Sequence, residues 1–222
     1  MKWITAKTVL EIRLSNAFKP LSGKSDLVSL LSKGKKQLSG NDFINIRDDS
    51  KKLIVSIDKG RISIIAETGD IEKDLKLAHD VLKTINNSYP ISSISRIGIR
   101  TFNYCEIKSD AYEDFVERFK KIYYNPTSSI TNNSDDVGVS LLFNKTNTIN
   151  VNIGPMKEKE IFEKFLSFKL DEELPNYYLM GDVDVFATRS DRYTNSFIER
   201  YESEAATLND KYLKEISRDW VK

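Results

Sequence analysis

Two short strings carry residue types that could hold or transform a ligand. In Arg96-Ile97-Gly98-Ile99-Arg100 the alternation of a strand sends Ile97 and Ile99 to one side and both arginines to the other, about 13 Å apart. Gly98 leaves room between them, so two guanidinium forks leaning together could grip a phosphate or a carboxylate. In Asp182-Val183-Asp184 the same alternation puts two carboxylates on one side of a strand, an arrangement that can hold a divalent cation beside a phosphate. Each string has a structural reading as well: Arg96 and Asp182 pair with one another, or the acidic pair is a solvated stripe over a core of Val183 and Val185.

The remaining chemistry-bearing residues are sparse. Gly23-Lys24-Ser25 sits where a phosphate loop would, but Phe18 occupies the position of the required first glycine and Pro20 removes an amide donor, so a Ser25 helix cap is the simpler account. His79 is the only histidine and Cys105 the only cysteine. That leaves no His- or Cys-built metal site, no cofactor motif and no disulfide framework, as expected of a reducing, cytoplasmic compartment. No stretch approaches the roughly 18 apolar residues of a membrane span, and the first residues alternate with charges instead of forming a signal core.

The elements that must position these strings follow from periodicity. Residues 7–15 alternate as a strand, and residues 42–47, 52–57 and 61–67 read as three short strands of an antiparallel meander, the last two joined by a hairpin at Asp58-Lys59-Gly60. Between them Ser25 caps a short helix carrying Leu27, Leu30 and Leu31. Asp70 opens a helix with Ile71, Leu75, Ala78, Leu82 and Ile85 along one face. Residues 94–103 form the next strand, and Asp110 with Glu113 makes an acidic capping box for a helix lined by Phe115, Phe119, Ile122 and Tyr123. Residues 137–144 and 147–153 form a second hairpin. Ile161, Phe162, Phe165 and Leu166 have helical spacing, residues 177–187 form a strand, and a helix of about 40 Å runs from Asp191 to the end.

The expected fold is α+β: mainly antiparallel sheet with helices on one face and a long C-terminal helix. Hairpin, helix, strand and helix occur twice, and Phe115-Val116-Glu117-Arg118-Phe119 matches Phe197-Ile198-Glu199-Arg200-Tyr201, which reads as a duplicated β-β-α-β-α unit with a pseudo-twofold. Organisation divides into a basic half at 1–124, a polar linker or loop at 125–136 and an acidic half at 137–222, which can still form one continuous domain. Residues 1–109 hold 19 Lys/Arg against 12 Asp/Glu, a net +7, whereas residues 110–222 hold 15 against 21, a net −6.

The segment Ser95-Arg96-Ile97-Gly98-Ile99-Arg100-Thr101-Phe102-Asn103 resembles the Arg-Ile-Gly-Leu-Arg-Tyr-x-Asn strand of a sporadically distributed bacterial family of unknown function, with Thr101 in place of the tyrosine. The order of elements is similar as well, including the late Asp-x-Asp strand before the terminal helix. The resemblance implies an association with mobile elements or phage defence and carries over no catalytic residue. The binding candidates are therefore Arg96, Arg100, Asn103, Asp182 and Asp184. The leading expectation is a non-catalytic binding or assembly protein with a protein partner or as a homodimer, the terminal helix supplying the seam. The alternative is a nucleic-acid-associated factor using Arg96, Arg100 and the lysines at 33, 35 and 36, and a third is a metal-dependent enzyme acting through Asp182 and Asp184.

Overall fold

In a computed structural model, residues 1–15, 28–29, 31, 36–39, 43–124, 134, 137–157, 160, 165–168 and 176–221 are described, with the backbone alone at 36–39 and 189–190. The glycine-lysine-serine string at 23–25, the helix around 25–31 apart from Val28, Ser29 and Leu31, the lysines at 33 and 35, most of the 125–136 loop and the helical reading at 161–164 lie outside these residues.

Nine strands form one antiparallel sheet among the described residues: β1 (Ile4–Leu14), β2 (Lys36–Ser39), β3 (Phe43–Asp48), β4 (Leu53–Asp58), β5 (Arg61–Ala66), β6 (Ser93–Glu106), β7 (Val139–Asn144), β8 (Thr148–Lys157) and β9 (Tyr177–Arg192). Their order is β2-β3-β4-β5-β1-β6-β9-β8-β7, so the basic and acidic halves share one sheet and meet where β6 pairs with β9. The order does not reproduce two equal units. β1 stands between β5 and β6, whereas β8 pairs with β9 directly.

Three described α-helices cover one face: α1 (Ile71–Ser88), α2 (Tyr112–Tyr123) and α3 (Asn195–Val221). Alternation along the strands supplies the apolar floor beneath them. Leu10 and Ile12 of β1, Ile62 and Ile64 of β5, Ile97 and Ile99 of β6 and Val183 and Val185 of β9 are all buried in the main core. α1 starts as expected: the Asp70 carboxylate accepts from the amides of Glu72 and Lys73, and Leu75, Ala78, Leu82 and Ile85 are buried. The capping box at α2 does not form. Ala111 occupies the cap position without a side-chain bond, so Asp110 lies outside the helix. β9 runs on through Asp191 and Arg192, and α3 begins after Thr194, whose hydroxyl accepts from the Phe197 amide at 3.1 Å.

The stripe on α3 that promised a dimer seam is spent inside the chain. Phe197, Ile198, Tyr201, Ala205, Tyr212, Leu213, Ile216 and Trp220 are buried, because a nine-stranded sheet needs a helix of this length to cover its centre. Among the described residues no helix is long and apolar enough to cross a membrane.

Candidate functional site

The helix-free face carries the two sequence strings side by side. In the β6–β9 ladder Ile97, Ile99 and Thr101 lie opposite Ala187, Val185 and Val183 beneath the helices. The residues between them, Arg96, Gly98, Arg100 and Phe102, lie opposite Thr188, Phe186, Asp184 and Asp182 on the other face. Part of that face is strapped. The Lys7 ammonium donates to the Phe165 carbonyl at 2.8 Å, Glu67 accepts from the amides of Ser167 and Phe168, and Arg47 lies over the Phe168 ring. The face stays accessible around Arg96, Arg100 and Asp184.

Arg100 does not lean over Gly98 towards Arg96. Its Nε donates to Asp182 Oδ1 at 2.8 Å and its Nη2 to Oδ2 at 2.6 Å, a two-pronged ion pair that raises the pKa of the guanidinium. Asn152 Nδ2 adds a third donor to Asp182 at 3.1 Å, and the guanidinium lies 4.7 Å from the Phe102 ring centre. The cross-strand pairing expected of Arg96 thus belongs to Arg100. Register explains it, since Asp182 lies opposite Phe102, one same-face position beyond Arg100, within reach of a long side chain.

Arg96 instead stacks on Phe186, its guanidinium carbon 4.4 Å from the ring centre, with Nη1 4.0 Å from Glu11. Its buried Nε has no hydrogen-bond partner among the described residues. Beside it lies a cavity of about 310 Å³ lined by Arg13, Ser95, Arg96, Phe186 and Thr188. Gly98 makes the stacking possible: a Cβ there would meet the Phe186 Cβ at 3.3 Å and Asp184 Oδ1 at 3.8 Å.

Asp184 is the unengaged acid of the pair. Burial pushes its carboxyl pKa up, Arg100 and Arg96 pull it back, and Asp182 and Glu11 raise it further. No hydrogen bond reaches its side chain among the described residues. The two aspartates do not form a cation cage, because the Asp182 oxygens are taken by the guanidinium. Among the described residues no group of three or more His, Cys, Asp or Glu side chains could hold a metal ion.

Asn103 does not join this site. Its odd-numbered position turns it under α3, where it is 1% exposed, accepts from Thr5 Oγ1 at 2.8 Å and donates to Gly181 O and Asn209 Oδ1 at 3.0 and 3.1 Å. His79 and Cys105 are also apart from it: His79 packs against Glu202 of α3, and burial raises the pKa of the Cys105 thiol. Sequence reasoning missed Glu11, Asn152 and Phe186. The alternation Asn150-Val151-Asn152 could have signalled a polar side on β8, but only the strand order places it beside Asp182.

Around this centre the charges cancel. Arg13, Arg61 and Arg96 surround Glu11 at 2.9, 3.7 and 4.0 Å, Arg61 also reaches Asp58 at 3.3 Å, and Arg100 holds Asp182. No protein-family model and no curated protein matches the chain.

Proposed function

We propose that the protein is a non-catalytic binding or assembly protein that docks another protein on its helix-free sheet face, around Arg96, Arg100, Asp182, Asp184 and Phe186. One observation carries this reading: four arginines (13, 61, 96 and 100) are interleaved with four acids (Glu11, Asp58, Asp182 and Asp184) and an aromatic ring, a mosaic without net charge. A nucleic-acid backbone rewards accumulated positive charge, and here each of these arginines already has a carboxylate within 4.0 Å. A protein surface rewards arginine and aromatic anchors set among paired charges. The cavity lined by Arg13 and Arg96 suits an acidic side chain, and Asp184 suits a basic one. The setting implied by the family resemblance, mobile elements or phage defence, belongs to the same proposal.

The test is affinity purification from the native host with and without nuclease, using wild type and an Arg96→Ala/Asp184→Ala double variant. A partner retained after nuclease and lost from a folded double variant supports the proposal. A partner released by nuclease in favour of bound DNA or RNA would replace it with the nucleic-acid reading.

A further inference from the structure

The two ends of the sheet are unlike each other. β2 is four residues long and begins with Lys36, the kind of short, charged edge that discourages further pairing. β7, Val139-Ser140-Leu141-Leu142-Phe143-Asn144, is six residues long with no charge and no proline, and it ends the ladder on the other side. It pairs with β8 alone among the described residues, so every second residue directs its N–H and C=O away from the sheet. Both leucines are exposed, Leu141 by 41% and Leu142 by 63%, and they point to opposite faces. An exposed row of backbone donors and acceptors flanked by apolar side chains accepts a strand.

We infer that β7 is a homodimer edge, pairing antiparallel with β7 of a second copy about a twofold axis perpendicular to the sheet. Charge argues for a copy of the same chain as the occupant. Near a twofold axis a residue meets its own kind, so a charged edge would repel itself, and this strand carries no charge to do so.

Side-chain types select the register. Centring the axis on Leu142 sets Leu142 against Leu142 on the helix-free face and Leu141 against Phe143 on the helix face. Ser140 then falls opposite Asn144, so apolar meets apolar and polar meets polar. Centring on Leu141 would set Ser140 against Leu142. In the favoured register helices remain on one side of a continuous eighteen-stranded sheet, twice the nine strands of one chain, and the two Arg96–Asp184 patches share the other. The centres of those patches lie six strand spacings apart, roughly 29 Å. The dimer does not depend on the docking function proposed for that face.

The experiment uses the full chain. Light scattering at about 50 µM should give twice the 25.5 kDa chain mass for wild type and the single-chain mass for Leu142→Lys, which should still melt cooperatively, somewhat below the dimer. Leu142→Cys should form an intermolecular disulfide under mild oxidation, because the native Cys105 is buried, whereas Ser140→Cys should not. A monomeric wild type, or a Leu142→Lys variant that stays dimeric, would overturn the inference. Equal crosslinking of the two cysteine variants would overturn the register and with it the self-pairing argument.

Discussion

Glu202→Gln tests how α1 and α3 are joined. Glu202 is 8% exposed between these helices, with one carboxylate oxygen unpartnered among the described residues and the other 3.2 Å from His79 Nδ1. Burial first, then the charges of Glu199 and Asp80, push its carboxyl up to about 8 from an ordinary value of 4.5. The folded protein therefore holds a proton that the unfolded chain has released throughout the interval between those values. Stability from this group is complete below about pH 4.5 and is lost progressively as pH rises through 8. Near-full protonation at pH 6 and half at pH 8 integrate to a loss of about 2 kcal/mol over that range. The amide introduced by Glu202→Gln keeps the shape of the side chain and cannot ionise. Urea denaturation of both proteins at pH 6, 7 and 8 should show wild type losing about 2 kcal/mol relative to the variant. Parallel curves, or a wild type that gains on the variant because an ionised carboxylate is held by the imidazole, would refute the reasoning.

Three further outcomes follow from the same geometry. Arg100→Ala strands the buried Asp182 with Asn152 as its remaining side-chain donor and should cost about 2 kcal/mol in urea denaturation, with part of the loss recovered in Arg100→Ala/Asp182→Asn. Asn209→Leu removes the acceptor used by Thr101 at 2.7 Å and Asn103 at 3.1 Å, and should cost about 2–3 kcal/mol by the same measurement without changing partner capture. Gly98→Val should displace Phe186 and weaken partner capture while changing the mid-point of thermal unfolding by only a few degrees.

Much of the scaffold was legible because its code is local. The hairpin at Asp58-Lys59-Gly60 closes as its turn residues require, with the Gly60 amide bound to Asp58 Oδ1 at 3.0 Å. The α1 stripe and its Asp70 cap emerge as read, and the face of each strand follows from a period of two. Failures came where local signals compete. Asp110 and Glu113 looked like a cap, but the chain turns into α2 one residue after Asp110, at Ala111. Lys36, read as one of a run of basic residues, begins an edge strand. Asn103, grouped with Arg96 and Arg100 by proximity in sequence, falls on the wrong parity to share their face.

The duplication shows the boundary between what spacing can and cannot supply. An antiparallel ladder has a local twofold at each residue pair, so a pseudo-twofold relating β6 to β9 follows from their pairing alone and requires no common origin. What decides the site is instead a one-step diagonal in that ladder. Asp182 lies opposite Phe102, so Arg100 reaches it, Arg96 is left to Phe186, and Asp184 is left without a hydrogen bond among the described residues. A shift of two residues in register would keep every isoleucine in the core and pair the same arginines with different acids. The hydrophobic pattern fixes which face is exposed, and the long-range register alone fixes which charges on it remain available to a partner.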